Sequence, residues 1–210
     1  MQASDAERRA LTPEEGWRAI HDTMERARSS LHVAGATPIL LLWGVIVSLG
    51  YLAEYLLETA WADLAADDPW IRAPLWGLLV GAGMAGSAVI GHRAGRAIAP
   101  GPGGDAAGIR VFLFWLAVAS AAFLVPAASG LWTEDGASAI PRVAIGIVAL
   151  GYVLFGIVNA PVIAVVGAGI AAAFYLPSYL AGDLALLVSA LATLAVSSLG
   201  AGWIRLRGAA

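Results

Sequence analysis

The chain is 210 residues long, 60% hydrophobic and only 13% charged, with a mean hydropathy of +0.79. Soluble domains carry about 25% charge, and apolar residues blocked into runs of about twenty have nowhere to hide in a soluble protein of this size. A net charge of −3 is small and says little about partners, among which no nucleic acid is expected, and the lack of cysteine removes disulfides, thiolate metal sites and cysteine nucleophiles together.

All twelve basic side chains are arginine, and Asn159 is the sole asparagine. That bias fits the coding habit of a GC-rich bacterial genome rather than a phosphate-recognition device.

Residues 1–35 form the polar segment. Thr12-Pro13-Glu14-Glu15 predicts a helix start, with Thr12 as N-cap, Pro13 at the first helical position and Glu15 three after the cap. Trp17, Ile20, Met24, Ala27 and Leu31 then recur at steps of three and four along one face. Glu14, Arg18, Asp22 and Arg26 alternate in sign on the opposite face. An amphipathic helix of about five turns is expected. Its stripe (Trp17, Ile20, Met24, Leu31) is suited to the membrane surface or the protein's own inner loops, to a second copy, or to a membrane partner.

The first apolar run, residues 39–57, holds nineteen residues with Glu54 as its one charge. At about 1.5 Å per residue it matches the roughly 30 Å hydrocarbon slab of a bilayer. Its length and the polar segment before it make it an anchor rather than a cleaved signal. Further spans are expected at 73–90, 111–128, 143–158, 162–180 and 184–204. Asn159-Ala160-Pro161 divides the fourth from the fifth, because proline lacks a donor and disfavours helix in the residue before it. The Gly/Pro-rich stretch 91–110 reads as a linker.

Charge placement supports six spans. With a cytoplasmic start, Arg8, Arg9, Arg18, Arg26, Arg28, Arg93, Arg96, Arg110, Arg205 and Arg207 fall inside, and Arg72 and Arg142 fall outside. Five spans would put Arg205 and Arg207 outside, against that bias. Trp61, Trp70, Trp76 and Trp132 mark the outer border, and Trp43, Trp115 and Trp203 the inner one. The expected fold is an all-α polytopic integral membrane protein: a six-transmembrane-helix bundle (residues 36–210) behind an N-terminal amphipathic helix. Both termini are expected on the cytoplasmic side of a bacterial inner membrane, with the lipid bilayer as the main partner.

Little in the chain points to chemistry. Gly81 to Gly86 matches G-x-G-x-x-G, but a dinucleotide site needs that pattern at a strand-to-helix turn, and here it lies mid-span. Gly77 with Gly81, and Gly83 with Ser87 and Gly91, instead form small-x-x-x-small rows for helix packing. Residues Gly136-Ala137-Ser138-Ala139 resemble the serine motif of rhomboid intramembrane proteases, yet no histidine follows His92 to serve as the base. His21, His32 and His92 lack metal-ligand spacing, so neither a metal nor a cofactor is expected.

Polar groups inside spans are the remaining candidates. Glu54, one turn from the outer edge, is read as an interfacial acid reaching water, with an interhelical hydrogen bond or an ion or proton site as alternatives. Asp183 is expected to cap the sixth span, and Asn159 to serve the turn. Ser120, Ser189, Thr193, Ser197 and Ser198 can bond to their own helix or a neighbour and need no ligand. Pro126 and Pro177 are read as helix ends, with kinks that open an outward-facing vestibule as the alternative. Without a nucleophile–base pair, an enzyme is not expected. The inventory fits a non-catalytic structural, assembly or sensing component, or alternatively a small-solute or ion transporter using Glu54.

Overall fold

The computed structural model describes residues 12–18, 35–98, 102–133, 136 and 139–208. Within them the chain is all-helical. Helix α1 (residues 13–18) opens through the reciprocal cap expected from its sequence. The Glu15 amide donates to Thr12 Oγ1 at 3.2 Å, and the Thr12 amide donates to the Glu15 carboxylate at 2.9 Å. Of the predicted apolar stripe, Trp17 is placed and exposed. Ile20, Met24 and Leu31 lie outside the described residues.

Among the described residues, six helices are long and apolar enough to cross a membrane. They are α2 (Thr37–Glu58), α4 (Arg72–Ile98), α5 (Pro102–Ala128), α6 (Ile140–Asn159), α7 (Pro161–Leu180) and α8 (Ala185–Gly208). Proline in the first turn of α2, α6 and α7 starts each helix where its missing N–H costs nothing. Past the ends of α5 and α7, Gly130 (φ 71°) and Gly182 (φ 51°) adopt the left-handed conformation that favours glycine. Pro126 and Pro177 lie inside the last turns of α5 and α7, which run on to Ala128 and Leu180.

Only Ala160 separates α6 from α7, and its extended backbone (φ −159°, ψ 118°) reverses the chain. Asn159 is exposed there, its side-chain amide donating to the Phe155 carbonyl at 2.9 Å. The fourth and fifth spans are therefore separate helices. Two features depart from the expectation. The linker 91–110 is largely helical: α4 continues to Ile98 and α5 begins at Pro102, again with proline at the first position. The loop after α2 contains a short helix, α3 (Ala62–Asp67), and a 3-10 turn over Pro69–Ile71, where Asp68 Oδ1 accepts from the Trp70 amide at 3.1 Å.

Each spanning helix packs on its neighbours in sequence, and α8 packs back on α2, closing a ring. The α2–α8 pair is the most intimate. A Cβ on Gly44 would overlap the Ser197 side chain, and Ser48 Oγ donates to the Ala190 carbonyl at 2.8 Å. Small residues let these backbones approach, which is how helices associate where lipid offers no hydrophobic drive. Leu40, Tyr152, Ile163, Val166, Ile170, Ala201 and Ile204 form the main core between α2, α6, α7 and α8. Helices α4 and α5 bury least. Leu78, Val158, Leu180 and Leu199 point outward, as lipid-facing side chains do in a helical bundle.

Candidate functional site

Glu54 is the one charged residue buried in the bundle among the described residues. Its carboxylate is held by two donors from α4: Arg72 Nε at 2.8 Å on Oε2 and Trp76 Nε1 at 2.8 Å on Oε1. Arg72 and Trp76 sit one helical turn apart, so α4 presents both to the same point on α2. The Glu54 side chain is 7% exposed and that of Arg72 33%. Glu54 is thus not an acid reaching water at the membrane border; the interhelical hydrogen bond is what the structure forms. Depth along α2 put Glu54 near the border, but the neighbouring helix decides whether water reaches it.

The contacts continue across the bundle. Tyr51, 1% exposed, lies edge-on to Trp76 with ring centroids 6.1 Å apart and stacks on Phe174 at 5.4 Å. Tyr175 donates its hydroxyl to the Arg142 carbonyl at 2.6 Å. At the Glu54 end, then, side chains tie α4 to α2, α2 to α7, and α7 to α6.

Deeper in the ring lies a cavity of about 80 Å³ touched by all six spanning helices. Trp43, Gly44 and Val47 come from α2, Val80 and Met84 from α4, and Trp115, Val118 and Ala122 from α5. Ile145 and Tyr152 from α6, Ile170 from α7, and Thr193 and Ser197 from α8 complete much of the wall. Trp115 packs on Tyr152 with centroids 4.5 Å apart. Trp43 is fixed by a hydrogen bond from Nε1 to Ser87 Oγ at 3.0 Å. Among the described residues, no charged side chain lines the cavity, and Glu54 is not part of it.

Among the described residues, five buried hydroxyls have no hydrogen-bond partner in the protein: Thr37, Tyr51, Ser189, Thr193 and Ser197. All five lie on α2 and α8. Ser189, Thr193 and Ser197 recur every fourth residue, so they share one face of α8.

The other candidates are dispersed. Asn159 lies at the opposite end of the bundle from Glu54. Asp183 sits at the Glu54 end, exposed in the 3-10 turn Gly182–Leu184 ahead of α8, with no side-chain partner among the described residues. Its charge still suits a helix N-terminus. Gly83 lies against Trp43 and Ile46 of α2, and Ser87 bonds Trp43, whereas a Cβ on Gly77, Gly81 or Gly91 would meet nothing within 4 Å. His92 is exposed, and His21 and His32 lie outside the described residues. No three His, Asp or Glu side chains gather as metal ligands among the described residues.

Sequence reasoning missed Arg72 and Trp76 as partners of Glu54. The signal was present: opposite charges at the same border of consecutive spans. It also left the α8 hydroxyls as satisfied groups, although their four-residue spacing aims them into one place. No known protein family matches the chain, and neither does any curated protein or solved structure.

Proposed function

We propose that this chain is a non-catalytic component of a bacterial inner membrane, with a structural, assembly or sensing role and both termini in the cytoplasm. The observation that carries the reading is the state of Glu54. An intramembrane acid is the default transport or proton site, yet this carboxylate is committed to Arg72 and Trp76 and stands apart from the cavity. Among the described residues, the cavity wall has no charge to bind an ion and no nucleophile–base pair to run a reaction.

Vesicles reconstituted with the full chain test this directly. Uptake of a panel of inorganic ions and small neutral solutes is expected to be the same for wild type and Glu54→Gln. A flux abolished by Glu54→Gln would replace the component reading with that of a transporter. The specific observation favouring this second reading is a cavity reached by all six helices, with Thr193 and Ser197 in its wall.

The orientation rests on the arginine bias and is checked by impermeant labelling of a cysteine added at either end. Labelling from outside intact cells would reverse it.

The apolar stripe of residues 13–31 is proposed to join two copies or to dock on a membrane partner. If it joins copies, Ile20→Asp with Met24→Asp lowers the oligomer mass in detergent. An unchanged mass rejects self-association.

A further inference from the structure

The described acidic side chains of the bundle and its loops (Glu54, Glu58, Asp63, Asp67, Asp68 and Asp183) all lie at the Glu54 end. The far end carries Arg93, Arg110 and Arg205, all exposed. Arg110 stands at the start of the membrane-spanning part of α5, and among the described residues it has no salt bridge.

One helical turn from Arg110, a groove of about 260 Å³ begins between α5 and α6, open on its outer side. Phe114, Ala117, Val118 and Ala121 line it from α5. Counted from Arg110 they fall at steps of four, three, one and three, so arginine and groove share one face of the helix. On α6, Leu150 and Leu154, 55% and 50% exposed, form the opposite rim. Val118 seats on Gly151 as the floor, where a Cβ would come within 2.9 Å of it. The Phe114 and Phe155 rings, 5.4 Å apart, mark the end nearest Arg110. Alanine at 117 and 121 leaves open what a larger side chain would fill. From Arg110 to Ala121 the helix rises about 16 Å, which matches one leaflet of a hydrocarbon slab about 30 Å thick. With the groove among acyl chains, the arginine therefore stands at headgroup level.

We infer that the α5–α6 groove seats one acyl chain of an anionic phospholipid, whose phosphate meets Arg110. A wall without a polar group takes hydrocarbon of any kind, and the cation at one end selects the charge attached to it. Basic side chains beside clefts between spanning helices suit such headgroups. A zwitterionic lipid brings the same chain, but its ammonium group offsets the attraction. A parallel second copy of the protein, the other candidate occupant, would bring arginine to this end, since its described carboxylates lie at the far one. The site goes beyond the functional reading above and holds for a component and a transporter alike.

The test is photolabelling of the full chain in phosphatidylcholine nanodiscs, read by peptide mass spectrometry. The probe is phosphatidylglycerol with a diazirine on one acyl chain, and phosphatidylcholine bearing the same chain is the reference. Adducts at Ala117, Leu150 and Leu154, relative to those at lipid-facing Leu78, are expected to be about fivefold higher with the anionic probe, the size of one arginine's attraction to anionic lipid. Arg110→Gln should remove that excess. Arg205→Gln, at the same end but on a helix packed against α2 and α7, should leave it unchanged. Ala117→Leu with Ala121→Leu fills the groove and should lower the adducts at Leu150 and Leu154 with both probes, Arg110 being intact. The proposal is overturned by equal groove labelling with the two lipids, or by an excess that survives Arg110→Gln. An excess lost equally in Arg205→Gln overturns it too, because the field of the whole end would then explain it. Cross-links from the groove to a second copy would give the groove to that copy instead. Should a variant fail to fold, the two lipids compared on the wild-type chain decide alone.

Discussion

Gly156→Leu is expected to break the α6–α7 hairpin, destabilising the bundle by about 3 kcal/mol or more. A side chain at this position would land on the backbone nitrogen and Cα of Ala164. One turn further along the pair, a Cβ on Gly167 would come within 2.7 Å of Tyr152 Cβ and 2.8 Å of the Val153 nitrogen. A flexible side chain can swing away from an intruding carbon; backbone cannot. With Ala160 alone between the two helices, the hairpin also has no slack to splay and re-form. Unfolding by SDS titration in mixed micelles measures the loss. Gly77→Leu is the control, because a Cβ there meets nothing within 4 Å, and its cost should stay within about 0.5 kcal/mol. Equal tolerance of the two substitutions would show that α6 and α7 are not packed as described.

The second large effect is asymmetric. Arg72→Ala should cost about 3 kcal/mol, since it leaves the Glu54 carboxylate buried with only the Trp76 indole as donor. Glu54→Leu should cost about 1 kcal/mol, because the guanidinium it strands is one-third exposed and can turn to water. Removing the more accessible partner is thus worse than removing the buried one. The double variant should be milder than the sum of the two, with a coupling of about 2 kcal/mol in the cycle. Additive losses would show that the pair does not interact in the folded protein. Trp76→Phe separates the indole's hydrogen bond from its packing on Tyr51 and should cost about 1 kcal/mol.

These two predictions also mark the border between what patterning conveys and what packing conveys. The spans were readable from the chain because hydrocarbon thickness fixes helix length. Expected bounds of 39–57, 162–180 and 184–204 compare with spans over Thr37–Glu58, Pro161–Leu180 and Gly182–Leu206. The split at Asn159 was readable because proline chemistry is local, and the cap at Thr12 because four consecutive residues carry the whole motif. The helical course of 91–110 was not. Glycine and proline composition alone argued against helix, and the first-position proline of α5 sat unrecognised among them.

The candidate site was only partly visible in the same way. Glu54 stood out as a carboxylate in an apolar run, but whether such a group meets water, a cation or a cavity depends on the next helix over. Gly77, Gly81 and Gly83 looked alike in sequence, yet only Gly83 lies against α2. Rotation about a helix axis decides which side of a small-residue row is used, and α4 is small and apolar on more than one side.

From the residues alone, then, came six apolar segments long enough to cross a membrane, their order and their approximate ends, because each follows from apolar length and turn chemistry along a single stretch of chain. Only the folded bundle decided that Arg72 and Trp76 take the Glu54 carboxylate, that α8 closes the ring on α2, and that Ser197 is packed against Gly44 in the contact between them. Those facts depend on the angle at which each helix faces its neighbours. That angle is set by the fit of Gly44 to Ser197 and of Gly156 to Ala164, between residues that lie far apart or in different helices and that no local pattern pairs.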